Sequence, residues 1–124
     1  MSTIVTKSKI GSIEDMVKAE LSKLATRAEQ AMQILECFKA SKAEYKSASR
    51  QAMITCFAIG FLNRVQSVVQ TRDIESAERF IRFHAHYLRL KGSTSANDDV
   101  SVAQATVAST LEDIIEAVLT DQPA

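Results

Sequence analysis

Residues 52–62 read AMITCFAIGFL, an almost wholly apolar stretch without a single charge. A helix on the surface of a bundle keeps a polar stripe, so a segment that is apolar all round asks for neighbours on more than one side. Working outward, the pattern predicts a helix over about 42–70. One side of it carries small residues at four-residue spacing, Ala48, Ala52, Cys56 and Gly60, which would let a neighbouring helix come close. The opposite side carries Phe57, Phe61 and Val68. In a lone four-helix bundle of this length the second side would face water, and an exposed patch of that size marks an association surface. The expectation is a homo-oligomer, most simply a two-fold dimer, with Phe57, Phe61 and Val68 at its interface. The alternative is that the other three helices enclose this one completely.

Before it, Ser12-Ile-Glu-Asp15 is close to a capping box, and Val17, Leu21, Leu24, Ala28, Ala31, Leu35 and Phe38 then recur at spacings of three and four. That predicts one long amphipathic helix with a flexible segment over residues 1–11 ahead of it. A second box, Ser41-Lys-Ala-Glu44, offers a turn. The competing reading is a helix continuous through 39–47, since no Gly or Pro interrupts it. After helix 2, Asp73 reads as the N-cap of a third helix that runs to about Leu90 and stops before Gly92 as its C-cap. On it, Ile74, Ala77, Phe80, Ile81, His84, Tyr87 and Leu88 share an inner arc, while Arg79, Arg82, His86 and Arg89 share another. Residues 92–99, GSTSANDD, read as a flexible loop, with Asp98 or Asp99 capping helix 4. There Val100, Ala103, Val107, Leu111, Ile114 and Val118 form the inward seam, and Glu112, Asp113 and Glu116 face outward. The chain therefore reads as a single all-α domain over 1–124, an antiparallel bundle of about four helices. Its 124 residues suffice for one core, and three Gly with one Pro leave little turn chemistry for sheets.

Charge is sorted along the chain. Residues 1–38 carry five positives and five negatives, residues 39–91 carry ten against four, and residues 92–124 carry six negatives with no Lys or Arg. A net charge of zero thus conceals a neutral, a basic and an acidic segment. Lys46, Arg50 and Arg64 fall near one face of helix 2, approached by Lys39, and the cations of helix 3 form a second basic face. Such faces suit a phosphate backbone or an acidic protein, with Phe83 beside them able to stack on a base. Helix 4 is expected to lie across them, in the same subunit or in a second one, and to cancel much of the charge.

Residues that carry catalysis are not assembled in any motif. There is no Glu-x-x-His, His84 and His86 stand on nearly opposite sides of their helix, and no metal is expected. His84 reads as a hydrogen-bonded core histidine. Cys37, on the polar side of helix 1, and Cys56 occur without CxxC or secretory context, which points to reduced thiols and a cytoplasmic protein. No Gly-rich phosphate loop, nucleophile elbow or HExxH is present. The apolar run at 52–62 is shorter than the roughly 20 residues of a membrane span, and a membrane-surface role is disfavoured by His84 on the apolar arc of helix 3 and by the lack of Trp.

Arg79 followed by four residues and His84, or by six and His86, is similar to the Arg-x4–6-His pattern of the all-helical HEPN ribonucleases. That family has a polar residue directly after the arginine, where this chain has Phe80. The resemblance covers these few residues and implies a phosphate-directed pair at Arg79 and His86. The leading expectation remains a non-enzymatic helical adaptor, inhibitor or accessory subunit, without cofactor, that binds another macromolecule through its segregated basic and acidic faces. Its partner-binding face is Lys46, Arg50, Arg64, Arg79, Arg82, His86 and Arg89. The alternative is an RNA- or DNA-binding subunit using the basic faces of helices 2 and 3, with ribonuclease chemistry at Arg79 and His86. The expected partners are a second copy and a protein, or a nucleic acid, and no membrane.

Overall fold

The computed structural model describes residues 8–71, 73–92 and 99–120. Among them there is no strand. Four helices, α1 (Lys9–Leu35), α2 (Lys42–Thr71), α3 (Ile74–Gly92) and α4 (Asp99–Ile114), pack as a bundle, and α4 continues through one wide π-helical turn over Ile115–Leu119. Of the loops expected at 1–11 and 92–99, residues 1–7 and 93–98 lie outside the described residues, as does Asp98, while residues 9–11, Gly92 and Asp99 belong to helices.

The chain turns where the second capping box stands, not through a continuous helix. The Ser41 amide donates to Glu44 Oε1 at 2.8 Å, and the Glu44 amide donates to Ser41 Oγ at 3.1 Å, so each satisfies a backbone donor of the new first turn. Asp73 caps α3 as its sequence context suggests, its carboxylate accepting the Ser76 amide at 2.8 Å. The start of α1 differs from expectation. Ser8, not Ser12, is the N-cap, with Oγ accepting the Gly11 amide at 3.0 Å, so residues 9–11 are helical. A hydroxyl one turn upstream offers the same cap while adding a turn of backbone hydrogen bonds. At its other end α1 stops at Leu35, and both Phe38 and Cys37 fall in the turn instead of on the helix; Phe38 is 93% exposed.

Helix lengths then shape the molecule. At 1.5 Å per residue the 27 residues of α1 and 30 of α2 reach about 40 and 45 Å, against about 28 Å for the 19 residues of α3. The α1–α2 hairpin therefore projects past the four-helix core as an arm. Beyond Leu24 on α1 and before Ile54 on α2, Ala31 and Ala48 alone are buried. The core itself is built at the other end, from Ile13, Val17 and Leu24 of α1, Leu62, Val65 and Val69 of α2, Ile81 and Leu88 of α3, and Val107, Leu111 and Ile114 of α4.

Charge and register fix α4. Arg50 Nε donates to Asp99 Oδ1 at 2.7 Å, so Asp99, the first residue of α4, is tied to α2 and not used as a free cap. Farther along, Gln104 shares a groove with Cys56, Phe57 and Gly60, which makes α4 run alongside α2 in the same direction. Against α3 it is antiparallel, with Gly92 facing Ser101 and Ala105 and Arg89 reaching Glu112. In an up-down-up-down bundle α2 and α4 would sit on a diagonal, yet here they pack closely while α2 and α3 barely touch. Gly92 is what lets α3 approach α4. A Cβ there would stand 2.9 Å from the Ala105 backbone nitrogen and 3.0 Å from the Ser101 carbonyl oxygen. The glycine is thus the last described residue of α3, in a backbone conformation without positive φ, and its role is close packing and not a left-handed C-cap.

Two seam assignments change for identifiable reasons. Val100 is exposed at the first turn of α4, near the edge of the core. At the far end Val118 is half-buried and Leu119 is buried, because the wide turn, with the Thr120 amide donating to the Ile115 carbonyl at 2.8 Å, adds one residue before the chain returns to the core. The remaining α4 seam, Ala103, Val107, Leu111 and Ile114, is buried as expected.

Candidate interaction surface

The basic face of α3 is largely neutralised within the subunit. Arg89 donates from Nη2 to Glu112 Oε1 at 2.7 Å and from Nε to Oε2 at 3.1 Å, a two-pronged pair, and Nη2 also reaches Ser109 Oγ at 2.9 Å. That hydrogen bonding holds the Glu112 carboxyl below the usual carboxylate range and raises the Arg89 guanidinium. Arg82 donates to Glu78 at 2.9 Å and to the Leu119 carbonyl at 3.0 Å, closing the end of the wide turn. Arg50 is held by Asp99. Of the residues read as a docking face, then, Arg50, Arg82 and Arg89 have carboxylate partners, while Lys46, Arg64, Arg79 and His86 stand exposed.

Arg79 and His86 share the outer face of α3, but the hollow at Arg79 is lined by Glu75, Glu78 and Arg82, not by His86. Two carboxylates beside the arginine make that hollow unsuited to a phosphate. His84 points the other way. It is half-buried, its Nδ1 donates to the Phe80 carbonyl at 2.9 Å, and its ring lies 5.5, 4.1 and 5.0 Å from those of Phe61, Phe80 and Phe83. Among the described residues no group of three or more His, Cys, Asp or Glu is placed to hold a metal ion.

One surface that the fold leaves uncovered among the described residues is aromatic. Because α2 and α3 splay apart, a groove of about 450 Å³ opens between them, walled by Phe57, Phe61 and Tyr87 and floored by Leu88 with Gln104 of α4 behind it. Phe83, 62% exposed, stacks on Tyr87 at 5.9 Å with planes 11° apart. Met53 and Leu90, 59% and 54% exposed, extend the apolar strip along α2 and α3. Lys91 Nζ lies 5.8 Å from the centre of the Tyr87 ring.

The sequence reading separated a small-residue side of α2 from a phenylalanine side. The structure merges them. Ala48 is buried and Ala52 half-buried, whereas Cys56 and Gly60 are exposed and line the same groove as Phe57 and Phe61. A four-residue step advances 400°, so such a ladder winds by about 40° per rung around the helix and cannot keep to one side. Val68 is half-buried, away from that groove. Tyr87, placed on the inner arc of α3 from its spacing, is one of the exposed residues, and Phe83 is its partner. Over its full length α2 is long and apolar enough to cross a membrane, more than its central run suggested; here its inner face builds the bundle core. No protein-family model matches the chain, and no curated protein and no solved structure shows significant similarity to it.

Proposed function

We propose that this chain is a non-enzymatic helical interaction protein, an adaptor or accessory subunit, whose docking surface is the aromatic groove between α2 and α3. The observation that carries the reading is the contrast between the two candidate surfaces. Three arginines of the basic segment are tied to carboxylates of their own subunit, while Met53, Phe83, Tyr87 and Leu90 stand in water on one side of the bundle. Exposed apolar area of this kind, aromatic at its centre, is what binding surfaces share.

The test replaces Phe83 and Tyr87 together by serine. Both are exposed, so the fold should stand, and circular dichroism verifies it. Purification from the native host through tagged wild type should bring down a protein that the double variant loses. An identical set of captured proteins for both would refute the reading.

A second reading has one observation in its favour: Phe83 is exposed on the outer side of α3 with Arg79 one turn before it and His86 one turn after. An aromatic ring flanked by an arginine and an imidazole is a suitable platform for single-stranded nucleic acid. Labelled RNA titrated at several salt concentrations decides it: tight binding that weakens steeply with salt supports it, and no binding at low salt removes it.

A further inference from the structure

Where the arm begins, α2 opens with a ladder of like charges. Lys42, Lys46 and Arg50 follow one another at steps of four residues, so their side chains leave one face of the helix about 6 Å apart. Like charges at that spacing repel, and Lys42 also stands at the first turn, where the helix dipole favours an anion. Asp99 answers the third rung alone, taking Nε of Arg50 at 2.7 Å. Among the described residues no carboxylate pairs with Lys42 or Lys46. Glu44, the acidic residue of the same turn, lies in another hollow with Arg27 and accepts the Ser41 amide. The ladder lines a hollow of about 610 Å³ together with Tyr45, Ser49 and Asp99, a size that suits a small ligand. Tyr45 is 54% exposed. With the Arg50–Asp99 pair left as it is, the two lysines give this hollow an uncompensated positive charge, whereas the hollow at Arg79 sets two carboxylates against two arginines.

We propose that this hollow binds a nucleoside phosphate, with the phosphoryl group between the ammonium groups of Lys42 and Lys46 and the base on the ring of Tyr45. A phosphoryl group whose oxygens accept at about 2.8 Å spans two ammonium groups that stand about 6 Å apart. It brings a charge of roughly −2, which answers both lysines at once, where a carboxylate brings half as much. Tyr45 follows Lys42 by three residues and so neighbours it on the helix surface, and an exposed aromatic ring offers a stacking face to any base. The hollow shares no residue with the aromatic groove between α2 and α3, so this inference goes beyond the docking role and can fail without it.

The experiment titrates the full chain with AMP, adenosine and inorganic phosphate and follows the amide and tyrosine signals by NMR. At low salt AMP should bind about tenfold more tightly than either adenosine or phosphate, and its affinity should fall as salt is added. Lys42→Gln with Lys46→Gln should weaken AMP by about tenfold or more, while Lys46→Arg retains it. Tyr45→Leu should weaken AMP by about tenfold and leave inorganic phosphate unchanged. All three side chains are exposed, so the variants should fold, and circular dichroism verifies it. No binding of AMP at millimolar concentration, equal affinities for AMP and adenosine, equal affinities for AMP and phosphate, or undiminished binding by the double lysine variant would overturn the inference. A 5′-phosphorylated single-stranded oligonucleotide identifies the source of the ligand. Binding tighter than that of AMP and lost with the two lysines supports the site as one for nucleic acid, and binding no tighter supports it as one for a free nucleotide.

Discussion

Replacing each of two helical glycines by alanine should move stability in opposite directions. In a helix Gly→Ala removes backbone freedom from the unfolded chain and gains up to about 1 kcal/mol. At Gly60 nothing lies within 4 Å of the new methyl, so the gain should appear almost undiminished. At Gly92 the methyl would stand 2.9 Å from the Ala105 nitrogen, 3.0 Å from the Ala105 Cβ and 3.0 Å from the Ser101 oxygen. Two of these atoms belong to the backbone of α4 and cannot swing away as a flexible side chain would. Relief requires α3 to lift from α4, and overpacking of that kind costs about 1–3 kcal/mol. Position at the end of α3 also reduces the propensity gain, so the net loss should be about 1–2 kcal/mol. With roughly 4 °C per kcal/mol for a domain of this size, Gly60→Ala should melt about 4 °C above wild type and Gly92→Ala about 4–8 °C below it. Thermal unfolding followed by circular dichroism at several protein concentrations measures both. Gly92→Ala melting at or above wild type would refute the close α3–α4 approach. Gly60→Ala melting below wild type, by an amount that grows with concentration, would mean that another molecule covers this face in solution.

Other perturbations test the remaining parts of the account. Glu112→Gln should lower stability at neutral pH by no more than about 1 kcal/mol, because the Arg89 pair is solvent-screened. The Glu112 carboxyl titrates lower in the folded chain than in the unfolded one. Its contribution is therefore full above the ordinary carboxylate range and lost as pH falls through the depressed value, so wild type and variant should converge in acid. Leu111→Ala, fully buried among all the core elements, should cost about 2–5 kcal/mol in urea unfolding, whereas Ile34→Ala on the arm should stay within about 0.5 kcal/mol. Amide exchange should be fastest, within the helices, over 25–35 and 42–53, where the arm buries Ala31 and Ala48 alone.

Most of the helices were legible because their signals are local. Ser41 with Glu44 and Asp73 with Ser76 place helix starts through hydrogen bonds spanning three residues, and the α4 seam through Ile114 follows from periodicity alone. What periodicity does not contain is which helix lies opposite. Tyr87 has the spacing of a core residue, but α2 and α3 splay apart and leave it in the groove wall. Phe38 continues the α1 seam by spacing, yet the helix ends before it. The π-turn that swaps Val118 for Leu119 likewise depends on how α4 meets Arg82 and the core, a contact 37 residues away in the chain.

The sorted charges acquire a different meaning once their partners are named. Asp99 at the start of α4 takes Arg50 of α2, and Glu112 near its end takes Arg89 of α3, so the acidic segment is matched to both helices of the basic one at opposite ends of its own length. Individually such pairs add little stability, but together they allow one register of α4 and penalise others. Seating α4 against both α2 and α3 is also what holds those two helices apart, since the space between them has Gln104 at its base. Charge segregation in the sequence thus sets the internal assembly, and the aromatic groove is its geometric consequence. Arg64 is the charged residue among those lining that groove, whereas Lys46 shares a separate hollow with the Arg50–Asp99 pair.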